Sequence, residues 1–357
     1  MSTKTVEIDP AKLEAFVGQA VTDMAAAMSG VLINLGHKLG LYRAMAESGS
    51  IGVRDLAKKT GLRERYVKEW LHNHVAGGYV EYCGATETYF LPPEHAAVLA
   101  DPKSPFYLVP AFELVASMWL DEENVADAFK KGRGFGWHEH HHRLFHGTEA
   151  FFRTGYQANL TTSWIPALEG VEEKLKAGGK VLDVGCGHGA STIVMAKAYP
   201  RSTFVGVDYH LESIEVARKR AQEAGVADRV TFEVASAKDY SGTGFDLICF
   251  FDCLHDMGDP AGAAARARKA LAKGGTVLLV EPFANDAIAE NKGPVARMYY
   301  AASTTLCVPN SLSQEVGAGL GAQAGEAKLR EILEAGGFGT VRRAASTPVN
   351  LILEAKI

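Results

Sequence analysis

The 357-residue chain carries 42 acidic against 37 basic side chains, a formal charge of −5, with 47% apolar residues. That length and apolar content suit two domains with proper cores, and the mild acidity excludes a nucleic-acid footprint over the whole surface. Cys83, Cys186, Cys249, Cys253 and Cys307 form no metal-like spacing and read as reduced thiols, while the polar N-terminus and the lack of any run near membrane-span length point to the cytoplasm.

Residues 1–100 read as one mainly helical domain. A long Ala- and Met-rich helix is expected over 10–35, with Asp9 as N-cap and Pro10 at the first helical position. Its apolar faces predict burial against a partner. Three shorter helical pieces follow, at 40–45, 53–61 and 65–75, the last ended by Gly77 and Gly78. Residues 79–82 and 88–91 pair as a β-wing across a Gly-containing turn, which completes a winged-helix pattern. Such a module raises a transcriptional regulator as one reading. The recognition-helix region, 62–75, holds Arg63, Arg65 and Lys68 but also Glu64, Glu69, Trp70 and Leu71, a mixture that suits a protein interface better than phosphates and makes nucleic acid an unexpected partner.

Residues 101–170 form a helical connector and lid, punctuated by Pro105, Pro110 and Pro166. The run Phe135-Gly-Trp-His-Glu-His-His-His-Arg143 formally contains His-Glu-x-x-His through His138, Glu139 and His142. Gly132, Gly134 and Gly136 crowd its start and the rest of the zinc-protease pattern is absent, so no metal is expected. Because His138, His142 and His146 recur every four residues, they are placed on one helical face. For these side chains and for His140 and His141, metal binding, surface exposure and contact with a substrate stand as alternatives. Tyr156, in an aromatic-rich stretch, is a candidate cofactor contact.

Residues 171–357 hold the most informative motif, Lys180-Val-Leu-Asp-Val-Gly-Cys-Gly-His-Gly-Ala190, an apolar strand running into a glycine-rich turn that opens a helix. Gly185, Gly187 and Gly189 remove side chains that would keep a ligand from the backbone, and the helix start offers unpaired N–H groups. Gly185-x-Gly187-x-x-Ala190 also satisfies the dinucleotide fingerprint, so the loop alone leaves NAD and S-adenosylmethionine open and an oxidoreductase among the readings. Asp183, two residues before the first glycine, is placed to meet a cationic amino acid moiety. Further strands are expected at 203–208, 229–234, 245–251 and 276–281, with helices at 212–224 and 260–272. Asp208 ends the second strand, where an acid can accept from both ribose hydroxyls. Segments 339–345 and 349–354 close the chain as a hairpin, and the insert 284–324 forms a pocket wall with a flexible 317–321 loop.

Strand by strand, these residues resemble a class I S-adenosylmethionine-dependent methyltransferase domain, and with the winged helix the whole chain is similar to small-molecule O-methyltransferases. The resemblance implies an α/β class: a Rossmann-like seven-stranded sheet with an antiparallel last strand, behind an N-terminal mainly α winged-helix domain. It implies S-adenosyl-L-methionine as cofactor, S-adenosyl-L-homocysteine as product, and contacts from Asp183, Gly185, Cys186, Gly187, Asp208, Tyr209, Ser236, Ala237, Phe251 and Tyr156. Ser236 stands where the family has an acid, which leaves the Ala237 N–H for the adenine. His255, in Phe251-Asp-Cys-Leu-His-Asp-Met257, resembles the family's general base, and Glu281 matches the acid that orients it. A packing residue near the cofactor is the plainer reading of His255. The implied partners are a small hydroxyl-bearing acceptor and a second copy of the chain, joined through the N-terminal domain; transfer to N, S or C needs no strong base and remains open.

Overall fold

The computed structural model describes residues 8–357, which divide into two compact units, one reaching Ala116 and one starting at Ser117. In the first unit, α1 (Pro10–Lys38) is capped as the sequence predicts: the Asp9 carboxylate accepts from the Ala11 N–H at 3.0 Å, and Pro10 opens the helix. Helices α2 (Leu41–Ser48), α3 (Val53–Thr60) and α4 (Glu64–Ala76) follow, then a short hairpin of β1 (Glu81–Cys83) and β2 (Thr88–Phe90). The first wing strand starts two residues later than expected, because the Tyr79 and Val80 N–H groups are taken by the His74 carbonyl at the end of α4.

Helix α4 faces inward. Trp70 and Leu71 are buried; the Trp70 indole donates to the Leu32 carbonyl at 2.9 Å, and Tyr42 Oη pairs with His74 Nε2 at 2.6 Å. Burial lowers His74 to about 4, so its imidazole packs neutral. Helix α1 touches this core only near its end, where Ile33, Asn34 and Gly36 are buried and a Cβ on Gly36 would come within 2.6 Å of Trp70. Upstream, Leu13, Phe16, Val17, Val21, Met24, Met28 and Val31 stand exposed at helical spacing. The expectation that no segment reaches membrane-span length therefore fails at α1: its 29 residues are long and apolar enough by length and composition, its few charges being spread along the helix.

The remaining helices are α5 (Pro93–Leu99), α6 (Phe112–Leu120), α7 (Glu122–Lys131), α8 (Arg143–Asn159), α9 (Val171–Ala177), α10 (Ala190–Ala198), α11 (Leu211–Glu223), α12 (Pro260–Ala270), α13 (Pro294–Ala302), α14 (Val308–Leu312) and α15 (Gly325–Ala335). Seven strands build the sheet of the second unit: β3 (Lys180–Val184), β4 (Thr203–Asp208), β5 (Val230–Val234), β6 (Phe245–Phe251), β7 (Leu271–Pro282), β8 (Thr340–Ser346) and β9 (Asn350–Lys356), in the order β5-β4-β3-β6-β7-β9-β8. The first five run parallel, and β9 is antiparallel to both of its neighbours.

Side-chain alternation explains the layers. Val181, Leu247, Cys249, Leu278 and Val280 pack one face against α9, α10 and α11, while Leu182, Val184, Ile248, Phe250 and Leu279 pack the other against α12 and α15. Buried throughout most of its length, β9 takes an interior slot; β8, with Arg342 and Arg343, takes the edge. β7 begins at Leu271 rather than Thr276, since Leu271 already pairs with Phe245 before Gly274 turns the chain at φ +71°.

Candidate active site

The glycine loop leaves the sheet at the carboxyl end of β3. Gly185, Gly187 and Gly189 all hold positive φ, at 73°, 50° and 75°. A Cβ on Gly185 would lie 2.9 Å from Cys253 Sγ and one on Gly189 2.6 Å from the Phe232 ring, so both are fixed by close packing. At Gly187 a Cβ would meet nothing within 4 Å, so the missing side chain there leaves the loop surface open. Asp208, ending β4, accepts from the Gly187 N–H at 3.0 Å and the His210 N–H at 2.9 Å, which ties the second strand to the loop. Burial raises its carboxyl above the usual carboxylate range.

Two adjoining cavities, about 110 and 380 Å³, line this edge and share Trp137, Gly185 and Cys253. The smaller has Cys186, Gly187, Phe251 and Tyr156 on its wall. The larger has Asp208, Tyr209, Ser236 and Ala237. Ser236 Oγ is occupied, donating to Asp239 Oδ2 at 2.8 Å. Asp183 lines neither. Fully buried, it accepts from Ser191 Oγ and Thr192 Oγ1 at 2.7 and 2.6 Å and so fastens β3 to the start of α10; burial raises it to about 6.

His255 follows β6, and Glu281 ends β7. The two are 4% and 1% exposed. His255 Nδ1 contacts Glu281 Oε2, whose other oxygen accepts the Leu254 N–H at 2.9 Å and the His255 N–H at 3.3 Å. On the opposite side of the ring, Nε2 faces Asp256 Oδ1 at 3.2 Å. Burial alone would lower this imidazole, but the Asp256 and Glu281 carboxylates outweigh it and raise His255 well above its ordinary value. His255 itself lines neither cavity; Asp256 lines the larger.

Sequence reasoning missed Asp252. It holds φ +50°, is 8% exposed, lines the smaller cavity, and accepts from Tyr156 Oη at 3.0 Å and Asn350 Nδ2 at 2.9 Å. The signal for Asn350 was a polar residue placed just before the apolar run Leu351-Ile-Leu353. Burial and the neighbouring Glu281 push the Asp252 carboxyl up. Asn310, from the predicted pocket-wall insert, accepts the Trp137 N–H at 2.9 Å and donates to the Asp256 carbonyl at 3.0 Å.

The His138, His142, His146 face is not formed. Residues 137–139 make a separate 3-10 turn and α8 begins only at Arg143, because His140 between them is extended at ψ 157°, with Asp121 holding its ring and accepting the His141 N–H. His138 lines the larger cavity, and His140 is buried with Nδ1 2.9 Å from Asp121. His141 and His142 pack ring to ring at 4.1 Å, and His146 lies 5.4 Å from His188 of the glycine loop. Among the described residues, the group of possible metal ligands brought together is His255, Asp256 and Cys307 instead.

A family model described as a methyltransferase domain matches residues 175–337, the stretch that holds the glycine loop, Asp208, His255 and Glu281. Residues 175–337 are a methyltransferase domain. A second model, an Rv2258c-like winged HTH domain, matches residues 26–101 ahead of it. The chain is 36% identical over 107 residues to the 27-O-demethylrifamycin SV methyltransferase of Amycolatopsis mediterranei, covering 29% of this chain and 39% of that protein. It is 27% identical over 170 residues to the ajmaline N-methyltransferase of Rauvolfia serpentina, 45% of this chain and 58% of that one. The chain thus spans less than two thirds of the length of these curated relatives. Human N-acetylserotonin methyltransferase, solved in complex with SAM, shares the fold over 99% of both chains with a TM-score of 0.66 at 19% identity.

Proposed function

We propose that the chain transfers a methyl group from S-adenosylmethionine to a hydroxyl of a small-molecule acceptor. The observation that carries this reading is a nucleoside cradle and a carboxylate-braced imidazole at one edge of one sheet. In this reading Asp208 takes the ribose, Ala237 and Tyr209 the adenine, and the smaller cavity, at the start of α10, the amino acid end; the three residues line the larger cavity. The residues fit the cofactor. When bound, it supplies an electrophilic methyl group on a sulfonium. The chain's own work is to align the acceptor and hold its proton. Glu281 orients Nδ1, so the hydroxyl proton passes to His255 Nε2 when that imidazole is neutral.

A second reading, transfer to nitrogen, is favoured by the two carboxylates that hold His255 charged, and by the likeness to an N-methyltransferase. Labelled S-adenosylmethionine offered with matched phenols and amines separates the two. His255→Ala is expected to abolish most transfer to the phenol, and an unchanged rate on a true hydroxyl substrate removes the base assignment. Thermal shift with S-adenosylhomocysteine beside NAD tests the cofactor itself.

The exposed stripe of α1 supports a homodimer formed through the N-terminal unit, since an apolar helix face of that length is costly in water.

A further inference from the structure

We propose that Asp252 is the counter-charge by which the site distinguishes S-adenosylmethionine from its demethylated product. This rests on the cofactor reading above and adds a residue to it. A sulfonium lies between the ribose and the amino acid end of the ligand, and therefore at the junction of the two cavities. That junction is formed by Trp137, Gly185 and Cys253, and Asp252 is the chain neighbour of Cys253 on the wall of the smaller cavity.

Its surroundings leave the charge to be drawn out by a bound cation: burial and Glu281 raise the free carboxyl, and a sulfonium beside it favours the ionised form. The two groups that hydrogen-bond its oxygens, the Tyr156 hydroxyl and the Asn350 amide, are both donors and both neutral, so they fix the carboxylate without cancelling it. Two other carboxylates nearby have cationic partners within the protein. Glu149, on the same cavity wall, pairs with Arg153 at 3.3 Å and Arg220 at 2.9 Å, and Glu281 is taken by His255. Asp183, where the sequence pointed for a cationic partner, lines neither cavity, and its Oδ2 accepts from the Ser191 and Thr192 hydroxyls. A non-glycine residue at φ +50° is costly, and this one is maintained from two distant places, α8 and β9. Methyl transfer removes the positive charge from sulfur, so an uncancelled buried carboxylate beside it favours substrate over product.

The test is equilibrium binding of S-adenosylmethionine and S-adenosylhomocysteine by calorimetry, on the full chain and on Asp252→Asn. Both ligands carry the amino and carboxyl groups, so the ratio of their Kd values reads the sulfonium charge. The variant is expected to weaken S-adenosylmethionine about tenfold more than S-adenosylhomocysteine, about 1.4 kcal/mol. Asp252→Ser, which asks less of Tyr156 and Asn350, reads the same ratio if the amide variant does not fold. Asn350→Ala removes a hydrogen bond but keeps the charge, and is expected to leave the ratio near the wild-type value. A ratio unmoved by loss of Asp252, or moved as much by Asn350→Ala, overturns this assignment while the cofactor reading stands. A wild-type chain that binds neither ligand overturns both.

Discussion

At His255 the two flanking carboxylates set the pH behaviour. The imidazole must be neutral to accept a proton, and its pKa is raised, so kcat/KM on a hydroxyl acceptor is expected to climb with pH through a midpoint above 6.5. Asp256→Asn removes one of the charges that stabilise the imidazolium. The midpoint should move to lower pH, and a profile that moves the other way or stays in place refutes the Nε2 proton path. His255→Ala should cost about a hundredfold or more in kcat with S-adenosylhomocysteine affinity retained, since general bases contribute on that scale. Gly189→Ala belongs to a different class of change: at φ +75°, with Phe232 2.6 Å from the new Cβ, it is expected to destabilise the fold by about 1–3 kcal/mol in denaturant titration.

Among the elements, α1 makes the boldest demand on a partner. Exchanging Phe16 and Val21 for Glu touches no buried contact, so the unit should fold unchanged while the dimer gives way to monomer in light scattering. Dimers that survive, or wild-type chains that sediment with phospholipid vesicles as monomers, assign the stripe elsewhere. The central strands were legible because their apolar runs have only one stable use: β4 and β6 begin and end where the sequence placed them. The cap on α1 was equally readable, being a matter of Asp9 and Pro10 alone. What escaped depends on long-range approach. Nothing local to Asp252 reveals a partner 98 positions later, and nothing in the histidine run shows that the chain turns before Arg143 rather than after. The same limit hides the Ser191 and Thr192 hydroxyls that hold Asp183 Oδ2.

For the molecule as a whole, ligand linkage gives the broadest check. S-Adenosylhomocysteine at a hundred times its Kd should stabilise the folded chain by about 2.7 kcal/mol, and NAD at equal concentration should leave the melting midpoint unchanged. The sheet order carries a consequence for how the chain is made. β9 fills a gap between β7 and β8, yet it follows every other strand in sequence. A growing polypeptide that has emerged only as far as Ser346 therefore exposes two raw strand edges, one of them the flank of β7, whose second half is buried in the finished sheet. Until β9 is made, nascent chains have a template ready for pairing with one another, so translation stalled between Pro282 and Asn350 should leave aggregates that release of the full strand prevents.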